Sequence, residues 1–242
     1  MEVHAHSHTP RKKWTHYFWE FLMLFLAVFA GFLAENQREH YVEKQRAKEY
    51  AYQMIEDLKH DTLDLSRFVK TIQAHLQSFD TANVLFDRVP PVSNKILLKA
   101  ILPQRSNYPI QLSATTFNQM KSSGNIRYFR KKELANTVSD YYDRTHSFLN
   151  VQFNHANDFF MAEIQPFMLN HFDYSQSDWF TNTVKVDNPI YLDRSPQADM
   201  LLRNRLILYN SILKWNIDIA VKIVSDKAIK LIEMLKNEYH IK

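Results

Sequence analysis

The pattern of apolar and polar positions changes character twice along the chain. From Tyr17 to Ala34 it reads YFWEFLMLFLAVFAGFLA, apolar on every face of a helix, with Glu20 as the one charge. From Glu35 to Lys48 it is almost wholly polar. From Ala51 onward a seam advances by alternating steps of four and three: Ala51, Ile55, Leu58, Thr62, Leu65, Val69, Ile72, Leu76, Phe79, Asn83 and Phe86. All-round apolarity suits a membrane span, a polar run suits a solvated stalk, and heptad steps suit a helix packed lengthwise on partners, in this chain or another. No Gly or Pro occurs between Phe32 and Val89, so nothing in the sequence interrupts a helix there.

At about 1.5 Å per residue the apolar segment covers roughly 27 Å, close to the roughly 30 Å of a hydrocarbon core, provided Glu20 reaches back to the headgroups. Trp14, Tyr17, Trp19 and Glu20 occupy the membrane interface in this reading, with Arg11, Lys12 and Lys13 just outside it. A cleaved signal peptide is the nearest rival, because a basic stretch precedes the run and Val28 and Ala30 are small. The apolar run continues past that point through Phe32 and Leu33. A buried core helix would carry a single stripe, and an interfacial helix would have a polar face. The segment has neither. The basic tail places the N-terminus on the cytoplasmic side and the body outside the cytoplasm. The organisation that follows is a short tail over 1–16, a span over 17–34, a helical stalk over 35–50 and a bundle over 51–242.

The body reads as all-α. A proline-bearing stretch, VPPVSNKILLKAILPQ, precedes a short helix with Ser113 as its N-cap and Gly124 just past its end. A long helix is predicted from about Lys131 to Asn170, with Leu134, Val138, Tyr141, Phe148, Phe159, Ile164 and Phe167 near one side and Pro166 disturbing its last turn. Residues Asp173 to Pro196 read as a loop. A final helix from about Gln197 to Tyr239 carries Leu202, Leu206, Tyr209, Leu213, Ile217, Ala220, Val224, Leu231 and Leu235. Long amphipathic helices of this kind assemble most economically as an antiparallel bundle.

Composition supports long helices. Only two glycines and eight prolines occur in 242 residues, too few for many tight turns. The 30 Lys and Arg against 26 Asp and Glu are spread along the chain, unlike the concentrated patch of a nucleic-acid binder. There is no cysteine, which excludes disulfides and thiolate metal sites.

The opening RKKWTHYFWEFLMLFLAVFAGFLAENQREH and the later TFNQMKSSGNIRYFRKKELANTVSDYY resemble a widespread group of uncharacterised single-pass membrane proteins of Bacteroidota-type bacteria. The resemblance covers the anchor, the stalk and the centre of the body. It implies an envelope location and an extracytoplasmic helical domain, and it brings no catalytic residues.

Candidate chemistry is sparse. His4, His6 and His8 could wrap a divalent metal, but nothing pre-organises them and a solvated polar tail is the better reading. Glu56, Asp57 and His60, and again His155 and Asp158, have helical metal-pair spacing; Glu56, Asp57 and His60 fall off the seam, on what reads as a solvated face. The cluster Arg127, Arg130, Lys131 and Lys132, interleaved with Tyr128 and Phe129, is the most distinctive polar feature of the body. A helix start with solvated cations is the plainer reading; because cations there oppose the helix dipole, a contact for an anion or an acidic partner is kept beside it. No nucleophile elbow, phosphate loop or zinc-protease motif occurs, so an enzyme and a bound cofactor are not expected. Two functions remain: an envelope interaction protein, paired with itself or with a partner protein, or an extracytoplasmic ligand-binding sensor that signals through a partner.

Overall fold

The computed structural model describes residues 13–89, 91–105, 110, 112–173, 175, 177–178, 183–185 and 193–242. The chain is all-α and divides into two compact units, one ending at Glu49 and the other spanning Tyr50–Lys242. The first helix, α1 (Trp14–Phe86), contributes to both.

In the first unit, the apolar stretch of α1 is the one helix among the described residues long and apolar enough to cross a membrane, and none of its apolar window is buried. Phe21, Phe25 and Phe29 stack successively at i, i+4, with centroids 6.3 and 5.9 Å apart. Glu20 turns back towards the start of the helix, where its Oε1 lies 2.9 Å from His16 Nε2. Beyond Ala34 the surface becomes charged, with Arg38 donating to both carboxylate oxygens of Glu35 at 2.6 and 2.9 Å.

The second unit is built on three long helical runs. One is α1 from Tyr50 on. The second runs through α4 (Lys132–Asp140), α5 (Ser147–Phe159) and α6 (Gln165–His171), joined by π-helical turns at Tyr141–His146 and Phe160–Ile164. The third joins α7 (Pro196–Trp215) to α8 (Lys222–Tyr239) through a π turn at Asn216–Val221. The second and third runs are antiparallel: α4 packs on α8, and α5 on α7. The first and second run the same way, since Tyr50 stacks on Tyr128 just ahead of α4 and Phe68 meets Phe153 of α5 edge-on at 4.7 Å. The chain returns between them through α2 (Asn94–Ile101), a 3₁₀ turn at Leu102–Arg105, α3 (Thr115–Ser122) and a second 3₁₀ turn at Asn125–Tyr128. Helix α2 forms in the proline-bearing stretch because Leu97, Leu98 and Ile101 share one buried face. The predicted loop after α6 holds a two-residue antiparallel pairing, β1 (Ser177–Asp178) with β2 (Thr183–Val184).

The heptad period of α1 is real, but its inward face is rotated from the predicted one. Ala51, Ile55, Leu58, Leu65, Ile72 and Phe79 are buried, as the seam requires. The alternate positions are Asp61, Phe68, His75 and Ala82, one residue ahead of Thr62, Val69, Leu76 and Asn83, which are only half-buried. The seam's partners include α5 and α7 of this chain.

The second run departs in a related way. Phe148, Phe159 and Phe167 are half-buried, while their C-terminal neighbours Leu149, Phe160 and Met168 are in the core. From Leu134 to Met168 the buried positions advance at about 3.8 residues per turn, and the two π turns supply what an α-helix at about 3.6 lacks. The second π turn ends just ahead of Pro166, whose missing N–H and bulky ring an unbroken α-helix would not accept. The third run, predicted as one helix, is divided by its π turn but keeps its predicted stripe: all nine inward residues, Leu202 to Leu235, are buried. It starts one residue early, at Pro196, with Ser195 Oγ accepting from Ala198 N at 3.2 Å.

Candidate functional site

The basic cluster does not converge on one site. Arg127, Arg130, Lys131 and Lys132 are all exposed around the second 3₁₀ turn and the start of α4. Lys131 pairs with Glu238 of α8, and the Arg127 guanidinium lies 5.6 Å over the Tyr128 ring. Arg130 acts on Tyr239, whose phenol is nonetheless pushed up to about 12, mainly by burial. Gly124, at φ 69°, occupies the left-handed position beyond α3, as predicted. In the first unit Trp14, Tyr17 and Trp19 are exposed, and Glu20 makes the His16 contact already described. His4, His6 and His8 lie outside the described residues.

The predicted solvated face of α1 needs correction at one residue. Glu56 pairs with Lys59 at 2.7 Å and His60 is exposed, but Asp57 Oδ2 accepts from the backbone N–H of Thr116 at 3.1 Å. Ser113 does not cap α3. Its own N–H donates to Asp61 Oδ1 at 2.6 Å, and Asp57 satisfies an N-terminal amide of the helix from outside. Carboxylates at a helix start are favoured by the unbonded N–H groups and the dipole. His155 and Asp158 are exposed. Among the described residues no group of three or more His, Asp or Glu has metal-binding geometry.

Asp61 lies at the centre of a buried polar cluster that the sequence did not reveal. It is 2% exposed, and its Oδ2 has no hydrogen-bond partner among the described residues. Burial raises its pKa to about 6, with Asp57 and Asp64 adding to the rise and the Ser113 N–H opposing it. The first π turn supplies the rest of the cluster. Tyr142 stacks on Phe117 at 4.7 Å and meets Tyr141 edge-on at 4.9 Å. Burial raises both phenols and lowers His146, which the Leu112 backbone partly offsets.

The surface that best fits a partner lies on the third run and its border with α4 and α5. Leu201, Leu208 and Trp215 recur at steps of seven on α7 and are exposed, followed by Ile219 and Ile223 across the π turn. Phe148 of α5 meets the Trp215 indole edge-on at 6.2 Å. This apolar row runs into two adjoining clefts of about 350 and 380 Å³ between the second run and α8, which share Asp140 and Lys227. Lys227 Nζ donates to Asp140 Oδ2 at 3.1 Å and to Thr145 Oγ1 at 2.8 Å, and Arg144 reaches the other oxygen at 3.2 Å. The Lys227 hydrogen bond holds the Asp140 carboxyl below the usual carboxylate range. Three cations, Arg144, Lys227 and Lys230, thus line clefts whose one carboxylate is Asp140.

The signal for this row was present in the sequence. Leu201, Leu208 and Trp215 form a second apolar stripe beside the inward one, but Ile219 and Ile223 leave the seven-residue step at the π turn. Comparison of the chain with protein-family models, characterised proteins and solved structures gives no match.

Proposed function

We propose that this protein is a membrane-anchored helical interaction protein of the bacterial cell envelope, without enzymatic activity. In this reading the N-terminal helix spans the inner membrane once, the basic tail is cytoplasmic, and the helical body is periplasmic. The all-round apolar surface of α1 up to Ala34 supports the anchor, because no other part of its own unit covers it. The resemblance to single-pass envelope proteins points the same way.

The observation that carries the interaction reading is the exposed row Leu201, Leu208, Trp215, Ile219 and Ile223 beside a cationic groove. Scattered apolar residues are normal on a surface, whereas an ordered row with an aromatic at its centre is the form of an interface core. The α1 seam does not serve this purpose, because this chain's own α5 and α7 cover it. The occupant that fits is an amphipathic helix of a partner protein, with apolar residues on Trp215 and Ile223 and carboxylates on Arg144, Lys227 and Lys230.

A photocrosslinking residue at Ile219 in the full-length chain, expressed in its membrane, tests this. The expected result is one adduct of defined mass in carbonate-washed membranes, absent with the probe at exposed Gln73 and weakened several-fold by Lys227→Glu. An adduct of twice the chain's mass would replace the partner helix by a second copy. Release of the chain by carbonate refutes the anchor, and equal labelling at Ile219 and Gln73 refutes the surface.

A further inference from the structure

A second concavity lies at the other end of α7, away from the cationic groove. The last turn of α1, residues 88–89 and 91–94, and the first three turns of α7 enclose an open cleft of about 750 Å³, within the range of small-molecule sites. Its walls divide by chemistry. Phe86, Val89, Pro91, Met200 and Ile207 line it with apolar surface, and Val89, Met200 and Ile207 are exposed. Arg88, Arg194 and Arg203 supply three guanidinium groups, against Asp199 as the one carboxylate in the lining.

Two of these arginines are held rigidly. Arg194 donates through Nε and Nη2 to Asp199 Oδ2, both at 3.2 Å, and through Nη1 to Val92 O and Asn94 Oδ1. Arg203 forms a two-point pair with Asp87 at 2.6 and 2.8 Å and donates Nε to Asn83 Oδ1 at 2.7 Å. A guanidinium has five N–H donors, so Arg203 keeps two beyond its contacts among the described residues. Arg88 is exposed, with no ion pair among them. The three arginines exceed Asp87 and Asp199 by one charge, and a pre-positioned guanidinium loses little freedom when it binds a planar oxyanion.

We infer that this cleft binds a free amphipathic anion, a carboxylate or phosphate on a short alkyl or aryl body. The head lies on Arg203 and Arg88, and the body lies along Val89, Met200 and Ile207. The site is independent of the groove on α8, so either reading can fail without the other.

The full-length chain in nanodiscs of zwitterionic lipid is treated with phenylglyoxal, and modification of each arginine is followed by peptide mass spectrometry. Octanoate is expected to slow modification of Arg88 at least fivefold and leave Arg144, on the α4–α5 surface, unchanged. Acetate, with the same head and no body, should protect at least fivefold less, and octyltrimethylammonium should not protect at all. Ile207→Glu, at an exposed position that the fold tolerates, should abolish the octanoate effect. Failure of octanoate to protect overturns the inference. So does protection by acetate or by the cationic amphiphile equal to that by octanoate, or protection undiminished in Ile207→Glu.

Discussion

Replacing Asp61 by Asn should stabilise the body at neutral pH, although it removes a charge that accepts a 2.6 Å hydrogen bond from the Ser113 N–H. The carboxyl titrates near 6 in the folded chain against an ordinary 3.8, because burial penalises the anion more than the N–H favours it. Between those values the folded state holds a proton that the unfolded chain has released. Stability from Asp61 is therefore fully present below about pH 4 and is lost as pH rises through about 6. A shift of about two pH units corresponds to about 3 kcal/mol at 1.36 kcal/mol per unit. Asparagine keeps an oxygen for Ser113 and carries no charge at any pH, so it avoids that loss. For a body of this size about 3 kcal/mol moves Tm by roughly 6–12 °C. Melting the full-length wild type and Asp61→Asn in the same detergent at pH 4, 5, 6, 7 and 8, and taking the difference, cancels the other titrating groups. The variant's advantage should be small at pH 4 and reach its full size by pH 8. If Asp61→Asn is the less stable protein at pH 8, the bond to Ser113 outweighs burial, and the account of the cluster is wrong.

Two further outcomes test the packing. Ile72→Asp should cost several kcal/mol, since Ile72 is 2% exposed and a lone carboxylate there has no partner, while Gln73→Asp on the exposed face should cost little; equal melting of the two would overturn the seam. Gly124→Ala should lose about 1–2 kcal/mol through its φ of 69° alone, because an added Cβ meets nothing within 4 Å, and a variant as stable as wild type would refute the left-handed turn.

Much of the fold was legible because its signals are local. The uninterrupted run Phe21 to Ala34 marks an exposed apolar helix, Gly124 marks a left-handed turn, and Leu202 to Leu235 mark an inward stripe. What was hidden depended on distant partners. Asp61 drew no notice because its neighbour is an amide 52 residues away, and Ser113 looked like a cap because the carboxylate that takes its place, Asp57, lies on another helix. The seam was drawn through Thr62 and Asn83, although both are polar, and it passed over Asp61 and His75. The structure inverts that choice: Asp61 is bonded to Ser113, and the His75 ring packs against that of Tyr209 at 5.8 Å. The basic cluster was conspicuous in the sequence and is dispersed in the fold. The cationic groove was invisible, since Arg144 and Lys227 meet only when α4, α5 and α8 are packed.

The π turns also bear on how the chain tolerates changes of length. Each contains one residue more than an α-helix would place between the same flanks. Losing a residue within Tyr141–His146, such as exposed Asp143, converts that turn to ordinary helix and leaves Val138 and Leu149 facing the core together. The same loss in the middle of α5, which has no such reserve, swings Phe153 and Ala156 by about 100° towards solvent before the π turn at Phe160–Ile164 can take it up. Length variation in the second run is therefore confined to its π turns, and the α-helical stretches between them must keep their residue count.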